Sequence, residues 1–214
     1  MSATRIKFCG ITRASDAELA VSLGAWAVGL IMWPGSPRAV PLDRAAELAA
    51  SLKRRCEVVG VFVEPTLEEL TAAAEAVEFT ILQLHGREGP RFCAEAARRT
   101  GCRVIKAARV RSGADIQALA AYRTDFHLLD SHQPGAPGGT GEVFNWGLVG
   151  GRRKVPLILA GGLTADNVAA AIAAVRPFAV DVASGVESAP GRKDHELMRR
   201  FADAVAATAA PEAA

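Results

Sequence analysis

The sequence lacks several patterns that mark common classes of protein. No apolar run reaches about 18 residues, the length of a membrane-spanning helix, so we expect no membrane span. The runs of arginine and lysine are short and isolated, and the net charge is +2. Helix ends in solvent explain such runs better than nucleic-acid contacts, so we expect no nucleic-acid partner. Residues 1–4 lead directly into a predicted strand, and nothing there resembles a signal peptide.

The cysteines show no pattern of a metal or disulfide site. They form no Cys-x-x-Cys pair and have no histidine cluster beside them; the four are Cys9, Cys56, Cys93 and Cys102. A zinc site and a disulfide framework are therefore not expected. We expect a reducing, cytoplasmic setting for this protein.

What the sequence does contain is a regular alternation of strand and helix patterns. Short β-branched runs predict strands near residues 5–9, 27–32, 57–63, 79–84, 103–107, 125–130, 155–160 and 178–183. Alanine-rich periodic runs predict helices near residues 15–23, 42–53, 67–76, 90–100, 114–122, 144–149, 165–174 and 194–207. Thr66 and Thr164 stand where N-caps of two of these helices are expected.

Eight strand–helix units predict an α/β fold in which parallel strands close into a single (β/α)8 barrel, the TIM barrel. We expect this domain over residues 1–207 and a frayed tail over residues 208–214. An open, doubly wound sheet is the alternative architecture. Its usual G-x-G-x-x-G fingerprint after the first strand is missing, which favours the barrel.

Ionisable side chains collect where the predicted strands end. In a barrel of this kind the active site lies at the carboxyl ends of the strands, so these side chains are the candidates for catalysis and binding. They are Cys9 on the first strand, His85 after the fourth, Asp130 on the sixth, Asp181 on the eighth and Arg38 in the loop after the second.

Cys9 and Asp130 are candidates for proton transfer. A free cysteine is most often a small buried hydrophobe, and an aspartate at a strand end is often a loop cap. The position of Cys9 at a strand end, before Gly10, favours a catalytic base, which needs a pKa lowered by nearby positive charge. Because side chains alternate along a strand, an inward-facing Cys9 shares its face with Lys7. An inward-facing Asp130 across the barrel is the candidate acid.

The other ionisable candidates each have a structural alternative. Asp181 either serves the site or forms an internal ion pair with Lys7 across adjacent strands. His85 either contacts substrate at the pocket rim or makes structural hydrogen bonds. Arg38 is either solvated or binds a carboxylate, whose two oxygens match the guanidinium fork.

Two glycine-containing loops predict a phosphate site. Barrels of this kind often hold phosphate in the loops after strands 7 and 8, together with a short helix N-terminus. The pairs Gly161-Gly162 and Ser184-Gly185 fall in these loops. Glycine lets backbone N–H groups approach phosphate oxygens closely, so no lysine or arginine is needed.

Five motifs carry a resemblance to a known family. They are "KFCGIT", "QLHG", "LLD" followed by "GGTGEVFNW", "LAGGL" with "NV", and "RPFAVDVASGVES-PGRKD", over residues 5 to about 205. In this order they resemble phosphoribosylanthranilate isomerase of tryptophan biosynthesis. The resemblance implies an Amadori rearrangement of N-(5'-phosphoribosyl)anthranilate to 1-(o-carboxyphenylamino)-1-deoxyribulose 5-phosphate, without a cofactor or metal.

The resemblance also implies roles for individual residues. Cys9 would be the general base and Asp130 the general acid. The binding residues would be Arg38 on the anthranilate carboxylate, Asp181 near the anthranilate side, and Gly161, Gly162, Ser184 and Gly185 on the phosphate. The partner would be the small phosphosugar–anthranilate substrate, and the protein would be a monomer or a homodimer. Asn145 stands where the family often has Asp, which affects a loop or helix-cap contact.

Three alternative functions stay open. The aminoaldose isomerase of histidine biosynthesis is a related barrel, but such enzymes use two aspartates, and Cys9 argues against it. A non-catalytic phosphosugar-binding barrel would bind ligand without turnover. A thiol redox protein is disfavoured because no resolving cysteine is evident.

Overall fold

The computed structural model describes residues 3–131, 145–149 and 154–209 of the chain. Eight parallel strands close a barrel in sequence order, and the last strand pairs with the first. The strands are β1 (Arg5–Cys9), β2 (Ala27–Ile31), β3 (Glu57–Phe62), β4 (Ile81–Leu84), β5 (Arg103–Val110), β6 (Phe126–Ser131), β7 (Leu157–Leu159) and β8 (Ala179–Val182). The predicted (β/α)8 barrel is confirmed, and the open sheet is excluded.

Helices follow most of the strands, as predicted. They are α1 (Ala14–Ser22), α2 (Leu42–Leu52), α3 (Leu67–Val77), α4 (Pro90–Thr100), α5 (Gly113–Ala118), α6 (Val168–Val175) and α7 (His195–Ala206). The described helices include none that is long and apolar enough to cross a membrane. Of the predicted tail, residues 210–214 lie outside the described part of the chain.

The prediction of a helix near residues 144–149 is wrong for the part of this range that the structure describes. Only a 3-10 turn, Trp146–Leu148, is present there, while Phe144 lies outside the described residues. Asn145 Oδ1 accepts from Gly147 N at 2.9 Å, so the side chain competes for a backbone donor. Glycine is also a poor helix former, and the short turn is the result.

Two elements after β8 were not predicted. A 3-10 turn, Ser184–Val186, leads into a hairpin of β9 (Glu187–Ala189) and β10 (Arg192–Lys193). The hairpin is fastened to the start of α1, because Arg13 Nη2 donates to Lys193 O at 2.8 Å. The strands of this hairpin are too short to show a period, and tertiary contacts hold it in place.

The strands alternate between two cores, as the sequence predicts. Phe8 and Ile6 on β1 pack against the helices, whereas Cys9 belongs to the cluster inside the barrel. On β6, Phe126 and Leu128 also face the interior. The inward orientation expected for the side chains at these strand ends is therefore confirmed on β1.

Aromatic rings close the amino-terminal end of the barrel. The Trp26 ring centroid lies 5.3 Å from that of Phe126 and 5.1 Å from that of Phe178. The Arg5 guanidinium stacks over Phe178 at 4.5 Å from the ring centroid. Because this end is filled by side chains, a ligand inside the barrel has to enter from the carboxyl ends of the strands.

The N-cap of α3 matches the sequence prediction, and that of α6 does not. Thr66 Oγ1 accepts from Glu69 N, and the Glu69 carboxylate accepts from Thr66 N at 2.8 Å, which is a reciprocal capping box. The N-cap of α6 is Asn167 instead of Thr164, because the helix begins at Val168.

We predict that Thr66→Ala lowers the free energy of unfolding by about 1 kcal/mol, because the backbone N–H groups of the first turn lose their cap. Urea unfolding followed by circular dichroism measures the change. Thr66→Ser keeps the hydroxyl and should stay close to the parent protein. Equal losses in both variants would show that the hydroxyl is not what stabilises α3.

Candidate active site

A buried ion pair lies where β1 meets β8. Lys7 and Asp181 are partners in the register of the two strands, and Lys7 Nζ donates to Asp181 Oδ1 at 2.9 Å. Burial favours a lower pKa for Lys7, but the charges of Asp181 and Cys9 raise the pKa above its ordinary value. Lys7 is therefore a buried cation. The ion pair with Lys7, one of the two alternatives predicted for Asp181, is confirmed.

Cys9 faces the barrel interior in space that a glycine leaves open. It is 6% exposed and stands opposite Gly29 of β2. A Cβ atom on Gly29 would lie 2.8 Å from Cys9 Sγ and 3.2 Å from Lys7 Nζ, so the thiol and the ammonium converge on this glycine. Gly10 follows with φ +71°, a left-handed conformation that turns the chain into the loop.

Burial raises the pKa of the Cys9 thiol. The charges of Lys7 and Lys193 oppose this rise, and the charge of Asp181 adds to it. The direction is opposite to the lowered pKa that the sequence analysis required of a base. Desolvation disfavours the thiolate, and here it outweighs the two lysine charges.

Asp130 lies at the end of β6 within a chain of side-chain contacts. His85 Nε2 lies 3.2 Å from Asp130 Oδ2, and Gln83 Nε2 lies 2.9 Å from His85 Nδ1. Gln83 is buried, and its Oε1 has no partner among the described residues. His85 therefore makes the hydrogen bonds that its structural alternative predicts, and one of them is to the candidate acid Asp130.

A second buried ion pair holds the loop that carries His85. Lys106 Nζ on β5 donates to Glu88 Oε2 at 2.7 Å and to Gly86 O at 2.7 Å. Glu88 Oε1 also accepts from Glu64 N at 2.8 Å. Sequence reasoning missed this pair, because Lys106 lies inside a strand and Glu88 lies just beyond the QLHG motif.

Arg38 pairs with a carboxylate of the hairpin. Its Nε and Nη2 atoms donate to Glu187 Oε1 and Oε2 at 2.9 and 2.7 Å. The same Glu187 Oε1 accepts from Lys193 Nζ at 2.9 Å. A Cβ atom on Gly10 would lie 2.7 Å from Arg38 Cδ, so the arginine stem rests on the glycine that follows Cys9. Glu187 and Lys193 were not predicted as site residues.

The loops after β7 and β8 lie against each other, as the phosphate-site prediction requires. Gly161 and Gly162 have φ of +87° and +65°. A Cβ atom on Gly185 would collide with the carbonyl oxygen of Leu163, which shows that the turn beginning at Ser184 touches the loop after β7. The two pairs of phosphate-loop residues are therefore brought together.

Asn167 fixes the shape of the loop after β7. Its Oδ1 accepts from Thr164 N, and its Nδ2 donates to Gly162 O, both at 2.9 Å. Gly161 lies close to the acid candidate, because a Cβ atom there would be 2.7 Å from Asp130 Oδ1. Residues 132–144, which include the GGTGEVF part of the family motif, lie outside the described residues.

The charged side chains and glycines collect at one end of a parallel barrel. This is the end at which enzymes of the (β/α)8 class hold their substrates. No group of three or more His, Cys, Asp or Glu side chains that could hold a metal ion is found in the described ranges. Fold and candidate site together define the class as a (β/α)8 barrel enzyme, with a thiol, carboxylates and basic side chains at the carboxyl ends of its strands.

Sequence comparison identifies the family. The profile described as PRAI, N-(5'phosphoribosyl)anthranilate (PRA) isomerase, matches residues 6–204. The N-(5'-phosphoribosyl)anthranilate isomerases of Pelobacter propionicus and Pseudomonas syringae pv. tomato are 46% and 48% identical to the chain. The alignments cover 92% and 97% of this chain and 93% and 100% of those proteins. The chain belongs to the N-(5'-phosphoribosyl)anthranilate isomerase family, which confirms the motif-based prediction.

Solved structures agree with this family. Phosphoribosyl anthranilate isomerase from Thermotoga maritima has a TM-score of 0.89 and 39% identity, covering 95% of this chain and 99% of that chain. A phosphoribosyl anthranilate isomerase in complex with reduced 1-(o-carboxyphenylamino)-1-deoxyribulose 5-phosphate has a TM-score of 0.84 and 37% identity, with the same coverage. The barrel and its strand order are those of the family.

We predict that Gly29→Ala lowers the free energy of unfolding by about 1–3 kcal/mol, because the added methyl overlaps Cys9 and Lys7 in a packed interior. Gly113→Ala is the matched control, since a Cβ atom there meets nothing within 4 Å. Urea unfolding of both variants measures the difference. A Gly29 variant as stable as the Gly113 variant would show that the space beside Cys9 is not filled.

Proposed function

We propose that this chain converts N-(5'-phosphoribosyl)anthranilate to 1-(o-carboxyphenylamino)-1-deoxyribulose 5-phosphate in tryptophan biosynthesis, with Cys9 as general base and Asp130 as general acid. The observation that carries the proposal is the placement of both side chains at the mouth of one barrel, on strands β1 and β6. The family relatives carry the name of this reaction, and one of them binds a reduced form of its product.

Asp130 delivers the first proton in this proposal. The furanose ring opens when its ring oxygen is protonated, which leaves a Schiff base between C1' and the anthranilate nitrogen. Because the Gln83 amide nitrogen donates to His85 Nδ1, the proton of a neutral His85 lies on Nε2 and donates to the Asp130 carboxylate. His85, beside Asp130 at the pocket rim, is proposed as a substrate contact as well.

Cys9 removes the second proton. The Schiff base acidifies the C2' hydrogen, the thiolate takes it, and the electron pair moves to give an enolamine that tautomerises to the ketone. Because burial raises the pKa of Cys9, the thiol is the favoured form in the free enzyme at neutral pH. The proposal therefore requires the basic side chains around Cys9 to limit that rise.

Arg38 and Asp181 are proposed to hold the anthranilate end. The Nε–Nη2 edge of Arg38 is held by Glu187, and Nη1 has no partner among the described residues. Nη1 is the donor available to the substrate carboxylate. Asp181 uses Oδ1 for Lys7, which leaves Oδ2 for a donor on the anthranilate side.

The phosphate is proposed to lie between the loops after β7 and β8. The left-handed backbone at Gly161 and Gly162 leaves their N–H groups without a backbone acceptor among the described residues. Ser184 and Gly185 begin a 3-10 turn, where N–H groups also point away from the turn. Together these donors form a cradle for phosphate oxygens that needs no cationic side chain.

The small-molecule substrate is the partner that this site supports. We propose a monomer or a homodimer that acts in the cytoplasm, since the four cysteines are unpaired in the structure and a reducing compartment keeps them so. A relative from Thermotoga maritima is described as dimeric, and monomers have been generated from it.

Cys9→Ser and Asp130→Asn should each lower kcat by roughly 10²–10⁴-fold, the usual contribution of a general base or acid. The assay follows the loss of fluorescence of freshly generated N-(5'-phosphoribosyl)anthranilate. Binding of a reduced product analogue, measured by calorimetry, should survive in both variants. Cys102→Ser is the control, because serine can keep the bond from this side chain to Phe79 O. Full turnover in the Cys9 variant would remove its role as base.

Arg38→Ala should mainly raise KM, because the carboxylate contact contributes to binding before and during the reaction. The same fluorescence assay over a range of substrate concentrations separates KM from kcat. Arg44→Ala is the matched control, since Arg44 lies on the neighbouring helix α2 and pairs with Glu47 at the surface. An unchanged KM in the Arg38 variant would contradict the carboxylate contact.

A further inference from the structure

Five charged side chains form two ion-paired groups beside Cys9 at the mouth of the barrel, and we name them the mouth cluster. They are Lys7, Arg38, Asp181, Glu187 and Lys193. The side chains of Lys7 and Lys193 are fully buried, and those of Glu187, Asp181 and Arg38 are 4%, 8% and 14% exposed. Buried charges need partners of opposite sign nearby, so the cations of the cluster can be counted against its anions.

Lys193 bonds to the residue of the neighbouring strand end that stands level with Cys9. In the register of β1 and β8, Phe8 is paired with Val182, so the next residue of each strand, Cys9 and Ala183, stand at one level. Lys193 Nζ donates to Ala183 O at 2.9 Å. The lysine on the hairpin thus reaches the carbonyl beside Cys9, from the side opposite to Gly29.

The mouth cluster holds three cations and two anions. Asp181 neutralises Lys7, and Glu187 is shared between Lys193 and Arg38. One positive charge is therefore left without a buried partner. Gly29 of β2 brings no charge to Cys9. Of the other titratable groups at the mouth, Asp130 and His85 pair with each other on the far strands, and Arg109 of β5, level with Asp130, is exposed to solvent.

We propose that Lys193 and Glu187 are positioning residues that set the charge balance around Cys9, and that the surplus positive charge of the mouth cluster is the partner of the Cys9 thiolate. With Cys9 ionised, the buried charges sum to zero. With Cys9 protonated, one cation stays unbalanced. The inference rests on the proposed role of Cys9 as a base.

Burial favours the neutral forms of Cys9 and Lys193, and the neighbouring charges act in the opposite direction. Burial raises the pKa of Cys9, and Lys7 and Lys193 act against that rise. Burial likewise acts to raise the pKa of Glu187, but the bonds and charges of Arg38 and Lys193 lower it, so Glu187 stays an anion. Burial lowers the pKa of Lys193, and the charges of Glu187 and Cys9 oppose this.

The test measures the pH dependence of Cys9 alkylation by iodoacetamide, quantified on the Cys9 peptide by mass spectrometry. Lys193→Met removes a cation and should move the midpoint to higher pH by about 1–2 units, the usual effect of a nearby charge. Glu187→Gln removes an anion and should move the midpoint to lower pH. Lys193→Arg keeps the charge and should restore the parent midpoint.

The opposite signs distinguish a charge effect from structural damage, which would change both variants in the same direction. Lys106→Met and Glu88→Gln are the matched controls, because they break a buried ion pair on the other side of the barrel. Circular dichroism establishes that each variant is folded. Shifts of equal sign, no shift, or an equal shift in the control pair would overturn the proposal.

Alkylation does not require turnover, so the two proposals can fail separately. The pH profile of kcat/KM is measured on the same variants. If its acidic limb moves with the alkylation midpoint, the charge balance acts on the base of the reaction. If alkylation shifts and the kcat/KM limb does not, the charge balance stands and the role of Cys9 as base is lost.

Discussion

The ion pair between Lys7 and Asp181 joins the two strands that close the barrel, and the mouth of the barrel depends on it. Each charge is costly to bury, and removing one partner of such a pair typically costs about 3–5 kcal/mol because the other is left uncompensated. The pair keeps β1 and β8 in register, which sets Cys9 level with the turn after β8. The hairpin and Arg38 are then built on that turn.

The sequence predicted the fold well where burial leaves a local pattern. The ends predicted for β1 and α4 agree with the structure to the residue. In α4, Pro90 suits the first turn and Gly101 ends the helix in the left-handed conformation. The prediction of a helix near residues 144–149 was wrong, because the Asn145 side chain caps a 3-10 turn there. The hairpin was not predicted, because its strands are too short to show an apolar period and contacts with the start of α1 hold it in place.

The candidate site residues at the strand ends could be predicted from the sequence, whereas the residues that hold them in place could not. Cys9 and Asp130 follow from the position of strand ends in a barrel, and Gly29 could have been found as a glycine inside a strand. Glu187 could not be assigned to Arg38, since 149 residues separate them in the chain. The raised pKa of Cys9 could not be predicted from the sequence either, because desolvation depends on how the folded chain packs around the thiol.

Closure by the last strand has a consequence for the synthesis of this protein. Lys7 and Asp181 are 174 residues apart, so β1 cannot find β8 until most of the chain has left the ribosome. At about 5–20 residues per second, that interval is on the order of ten seconds or more. During it, one edge of β1 offers unpaired N–H and C=O groups to any strand nearby. A nascent chain with an open barrel is therefore the state in which this protein is most exposed to aggregation.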